Sequence, residues 1–207
     1  MKKHVLFLAV LCLTCLTGTS YGQAVFGIKA GVNLANANFD TGSSISIKPD
    51  ALAGFYAGPT ARFDVSSNFS IQPELLLSLQ GFKYSMDIEV IEEEFDFDAT
   101  FKNLYLNLPV MARFAVTEAL YLEAGPQVGL LLDSKVKSGG VSADSEESND
   151  LDFGLNIGAG YRLPMGLSIE ARYNFGLVNM FEDEQDADMG EVKVTNRVFS
   201  FGLGYRF

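Results

Sequence analysis

The chain has no tryptophan, one histidine and two cysteines in 207 residues. The histidine and both cysteines, His4, Cys12 and Cys15, lie in the first sixteen positions. That stretch reads as a targeting segment. Lys2 and Lys3 supply positive charge, Val5 to Leu16 is apolar apart from Thr14, and Ser20 and Gly22 are small residues at the −3 and −1 positions of a cleavage site. Residues 1–22 are therefore predicted to be a cleaved signal peptide, with the cut before Gln23, and residues 23–207 a single domain. The apolar run falls short of the roughly 20 residues a spanning helix needs. With the segment gone, the chain has no thiol for a disulfide or a nucleophile and no imidazole. Histidine is the usual general base near neutral pH, so catalysis is the least favoured function. Basic residues are scarce too: 15 Lys and Arg stand against 26 Asp and Glu, a formal net charge of −11, which becomes −13 once Lys2 and Lys3 leave. Without a basic surface to neutralise phosphates, nucleic acid is not an expected partner.

What remains alternates. Apolar and polar residues follow one another at period two, the signature of strands with two unlike faces. Eight segments are predicted: 25–35, 51–65, 69–80, 101–116, 120–132, 151–163, 167–177 and 196–207. In the first, Phe26, Ile28, Ala30, Val32 and Leu34 oppose Gly27, Lys29, Gly31 and Asn33; in the last, Phe199, Phe201, Leu203, Tyr205 and Phe207 oppose Ser200, Gly202, Gly204 and Arg206. Three connections are tight turns, at 66–68, 117–119 and 164–166. The others, 36–50, 84–100, 133–150 and 179–194, are long. Short and long alternate strictly, which predicts an all-β, eight-stranded antiparallel up-and-down barrel with all long loops at one end and both termini at the other. That is the layout of a transmembrane β-barrel of an outer membrane, with periplasmic termini and extracellular loops. Pro59, Pro73, Pro109 and Pro126 fall inside predicted strands, where proline cannot donate to a ladder, so local irregularity is expected there.

Period two does not say which face looks outward. Phe26, Phe63, Phe69, Phe114, Tyr161 and Tyr205 all lie on apolar faces near the short-turn end, as an interfacial aromatic girdle requires. The polar faces together carry Lys29, Arg62, Arg113, Arg162, Arg172 and Arg206 against Asp64, Glu74, Glu123, Asp152 and Glu170. Five arginines to one lysine suit a crowded interior, where a planar guanidinium pairs bidentately with carboxylate. These eleven are the candidate lumen ion-pair residues, and the apolar faces are assigned to lipid. The alternation of Phe199, Phe201, Leu203, Tyr205 and Phe207 up to a final phenylalanine resembles the C-terminal signal read by the barrel-assembly machinery.

Several local sequences carry a family resemblance: Tyr105-Leu106-Asn107-Leu108-Pro109-Val110; Glu123-Ala124-Gly125-Pro126 with Gly129-Leu130-Leu131; Asp152-Phe153-Gly154-Leu155 before Gly158-Ala159-Gly160-Tyr161; and Arg172-Tyr173 before Gly176-Leu177. Together they resemble the outer-membrane β-barrel domain family that includes PorT-like and porin-family proteins of the Bacteroidetes type, small barrels like OmpA and OmpX. The resemblance covers the whole chain after residue 22. It implies a fold and an outer-membrane location, and no catalytic residues.

An eight-stranded barrel is just wide enough for its interior to be filled by side chains. The favoured reading is thus a monomeric barrel plugged by internal ion pairs, acting structurally or through its long acidic external loops on a surface partner the sequence does not identify. The alternative is a narrow porin-like channel, with glycines such as Gly31, Gly58, Gly129 and Gly158 leaving space. A membrane-embedded enzyme comes third. The acidic runs at 92–98 and 182–188 have the charge for a hard cation, but Gly190 falls one place short of EF-hand spacing from Asp186, so they read as solvated loops and no metal or cofactor is expected. Phe95 and Phe97 within the first run predict that its flanking strands continue as a hairpin.

Overall fold

The computed structural model describes residues 24–40, 49–90, 93–138, 141–144, 149–179 and 193–207. The predicted signal peptide and the acidic run at 182–188 lie outside the described residues. The described residues are strand, turn and one short 3₁₀ turn at Pro164–Gly166. In chain order the strands are β1 (Val25–Asp40), β2 (Asp50–Asp64), β3 (Phe69–Pro73), β4 (Leu76–Val90), β5 (Glu93–Ala115), β6 (Leu120–Ser138), β7 (Val141–Asp144), β8 (Leu151–Arg162), β9 (Leu167–Gly176) and β10 (Lys193–Arg206). All pairings are antiparallel. β1 pairs with both β2 and β10, and the remaining neighbours close the sheet into a ring of eight staves.

Two strands form one stave. The predicted strand at 69–80 is interrupted at Glu74 and Leu75, just after Pro73. The register does not slip: Phe63 faces Ile71, Thr60 bridges Glu74 and Ala57 faces Leu77, one continuous antiparallel register. The amides beside the proline find proline carbonyls across the ladder. Glu74 N–H donates to Pro109 O and Leu75 N–H to Pro59 O, each at 3.0 Å. The irregularity expected at the prolines is therefore sharp at Pro73. A separate register shift lies in β2 between Ala51 and Tyr56, opposite Gly81, whose φ of 146° suits glycine.

The three short connections form where predicted. At the first, Val65 and Ser66 N–H both donate to Phe69 O, and the Ser66 hydroxyl accepts from Phe69 N–H at 3.1 Å. Thr117 repeats the device, accepting from Leu120 N–H at 2.9 Å. The long connections are shorter than expected, because the strands run on. As the alternation at Phe95 and Phe97 predicts, β4 and β5 continue as a paired hairpin to Val90 opposite Glu93; β6 also pairs with β7 inside the predicted third loop.

The ring is inverted relative to a soluble barrel. Phe26, Ile28, Val32, Phe55, Phe114, Leu122, Ile157, Phe201 and Leu203 are each about half exposed on the outside, while Lys29, Glu74, Arg113, Glu123, Glu170 and Arg172 are buried inside. An apolar belt facing out and a charged interior are what a lipid surround selects, since no backbone or side-chain polar group there has water to bond.

Candidate functional site

The lumen is layered along the barrel axis, and one layer brings together six of the eleven candidate residues. Lys29 comes from β1, Glu74 from the break between β3 and β4, Arg113 from β5, Glu123 from β6, and Glu170 and Arg172 from β9. Each carboxylate sits between at least two cations, and Glu74 has Arg113 as a more distant third at 3.7 Å. Lys29 Nζ meets Glu74 Oε1 at 2.8 Å; Arg172 holds Glu74 through both terminal nitrogens at 2.9 and 3.1 Å. Arg172 also donates to Glu123 Oε1 at 2.8 and 2.9 Å, and Glu123 Oε2 accepts from Arg113 Nε at 2.8 Å. Arg113 reaches Glu170 Oε2 at 3.0 Å, and Glu170 closes the circuit onto Lys29. The result is a closed, neutral ring of alternating charge that ties opposite walls of the barrel together.

Neutral partners complete it. Gln72 donates to Glu74 Oε1 at 2.8 Å and accepts from Arg113 at 2.6 Å; Tyr121 O–H donates to Glu170 at 3.2 Å while its ring lies under Arg113, 4.6 Å from guanidinium to centroid. Charged hydrogen bonds are the strong ones in a water-poor interior. They are also conditional, since removing one partner leaves an uncompensated buried charge.

The other five candidates lie elsewhere. Arg62 and Asp64 pair with each other at 3.0 Å at the short-turn rim, with the carboxylate half exposed. Arg162 and Arg206 sit at the same mouth, and neither has an ion pair among the described residues. Asp152 lies toward the long-loop end. It accepts from Asn196 Nδ2 at 2.9 Å in place of a cation. Period two assigns a residue to a face but not to a height, and height decides which charges meet.

Above the charge ring the lumen turns to amides and hydroxyls: Asn33, Ser78, Gln127, Asn156 and Asn174 bond to one another and to neighbours. A cavity of about 30 Å³ remains among them, room for roughly two waters. Toward the long-loop end the interior becomes apolar. Ala37, Phe82 and Val194 cluster with Phe39 and Phe101; the rings of Phe82 and Phe101 stack at 4.6 Å and Phe39 meets Phe82 edge-on at 5.6 Å. No sequence signal pointed to this cap, because Phe82 lies past the predicted strand end and places an apolar ring on the inward face that Ser78 and Gln80 make polar.

The inner glycines make room for tyrosines. A Cβ at Gly160 would fall on the ring of Tyr121, and one at Gly202 on the hydroxyl of Tyr56, which also crowds Gly31. Of the glycines read as possible channel space, Gly31 is filled by the Tyr56 ring, while Gly58 and Gly158 lie against cross-strand backbone and Gly129 against the Asn107 side chain. Gly160→Ala is expected to lower folding stability by about 1–3 kcal/mol through overpacking. The penalty should vanish in a Tyr121→Leu background, a coupling that a double-mutant cycle in urea reads directly.

The chain matches the family described as outer membrane protein beta-barrel domain over residues 21–182. No curated protein sequence matches it. Among solved structures it is similar to Neisserial surface protein A, at 17% identity over 89% of this chain and 99% of that one, with a TM-score of 0.57. It is also similar to Ail, the attachment invasion locus protein of Yersinia pestis, crystallised with the heparin analogue sucrose octasulfate: 17% identity over 89% and 99%, TM-score 0.50. At these identities the likeness is one of fold.

Proposed function

This chain belongs to the outer membrane protein beta-barrel domain family, and on that premise we propose that it is a closed, monomeric barrel whose working surface is its long-loop end. The observation that carries this reading is the charge ring. It fills the lumen at one level with six mutually neutralised side chains, and the amide layer and the aromatic cap lie beyond it. A solute crossing would have to separate pairs in a water-poor interior, which is costly. The reading places the short turns and both termini in the periplasm and the extended hairpins outside, where the acidic segments present negative charge to a surface partner. The outward row Phe199, Phe201, Leu203, Tyr205 and Phe207 is exposed along β10 and the chain end, which supports its use by the barrel-assembly machinery during insertion into outer-membrane lipid. Planar-bilayer recording of the purified protein tests the closed barrel. The expected record is baseline with brief flicker; sustained unitary currents would establish the narrow channel instead.

A further inference from the structure

The candidate arginines left over from the ring gather at one place. Arg62 on β2, Arg162 on β8 and Arg206 on β10 occupy inward-facing positions at the short-turn mouth and line a single cavity of about 50 Å³. Lys29, Arg113 and Glu170 form its inner wall, but these are already balanced within the ring. Three guanidiniums meet at the mouth, and among the described residues only Arg62 has an ion pair there, to the half-exposed Asp64; the Glu118 side chain and the chain-end carboxylate of Phe207 share the rim without pairing. Arg162 is held in position by stacking over Tyr121, 5.3 Å from guanidinium to centroid, and by donating to the Glu118 carbonyl at 3.3 Å. Arg206 has no carboxylate within ion-pair distance among the described residues. The buried Arg62 Nε–H has no hydrogen-bond acceptor among the described residues. Like charges fixed around a small polar recess, with a donor left open, form an anion site by the same rule that places guanidinium forks around oxyanions.

We propose that this mouth binds a compact tetrahedral oxyanion, a phosphate or sulfate group, held by Arg62, Arg162 and Arg206. Donors arriving from three different strands match an anion with oxygens in several directions better than a flat carboxylate. The volume admits one such group. Because the three side chains face the lumen and not the lipid, the anion comes from solution, which on the orientation proposed above is the periplasm, and not from a phospholipid headgroup.

The test uses residues 23–207 folded in maltoside micelles, which carry no phosphate, with side-chain Nε–H resonances of the three arginines followed by NMR. Titration with inorganic phosphate is expected to shift them saturably, while chloride at matched ionic strength does not. The double variant Arg162→Gln/Arg206→Gln, still heat-modifiable on a gel and hence folded, is expected to bind phosphate at least about tenfold more weakly. Equal shifts with chloride, or unchanged affinity in the folded double variant, overturn the site. A parallel arm in phosphatidylcholine nanodiscs adds phosphatidic acid in place of free phosphate; saturable shifts there, with none from free phosphate, would overturn a soluble anion as the ligand. If the double variant does not fold, Arg206→Gln alone is read by the same criteria.

Discussion

Glu74→Gln is expected to lower the stability of the folded barrel by about 3–5 kcal/mol. Glu74 is nearly inaccessible, at 1% exposure, and its carboxylate takes Lys29, both terminal nitrogens of Arg172 and the Gln72 amide. Glutamine keeps the shape but leaves Lys29 and Arg172 short of one negative charge in an interior with no counterion supply. The amide nitrogen also turns a donor toward two cations. Urea titration of the folded fraction, read by mobility on an unboiled gel, measures the loss. Asp64→Asn is the control, since the Asp64 carboxylate of the rim pair is half exposed and solvent-screened pairs contribute about 0–1 kcal/mol. Comparable midpoints for the two variants would mean that the ring does not hold the walls together.

Phe201→Arg is expected to cost about 2–4 kcal/mol when the protein folds into a bilayer, and Phe207→Arg only about 0–1 kcal/mol. Phe201 lies mid-strand on β10, opposite Val32 of β1 and Ala171 of β9, and about half of it is exposed. Phe207 ends the chain at the short-turn rim and is more exposed still. In water an exposed position of either kind tolerates substitution within about 0.5 kcal/mol. A gradient with depth therefore reports the lipid, and equal small costs at both sites would point to an aqueous surround.

The eight staves were legible because lipid and lumen impose opposite demands on successive residues. Wherever both demands act, as from Gly27 to Leu34 or from Ser200 to Arg206, the alternation is clean. Beyond the membrane that pressure ends. The extension of β4 and β5 was foreshadowed by the alternation at Phe95 and Phe97, whereas the β6–β7 pairing, and the apolar Phe82 on the same inward parity as Ser78 and Gln80, lie where polar-in and apolar-out no longer hold. Irregularity at Pro73 was legible, but its form, a two-residue break at Glu74 and Leu75 that keeps the register, was not. The arginine-rich inner face was readable as a set. Its division into a closed ring, a cationic mouth and a solitary Asp152 was not, since that depends on the stagger between strands. The place of Tyr56 and Tyr121 against inner glycines likewise needs cross-strand height.

The absence of tryptophan makes the central claim, apolar side out and charged ring in, directly measurable. Single tryptophans are placed outward at Phe153 and Phe201 and inward at Tyr105 and Tyr121 in residues 23–207, and each variant is folded into bilayers of brominated phospholipid. Strong quenching at the first two positions and little at the last two is the predicted result. Quenching of the Tyr105→Trp and Tyr121→Trp variants as deep as that of Phe201→Trp, or none at Phe201→Trp, would contradict it.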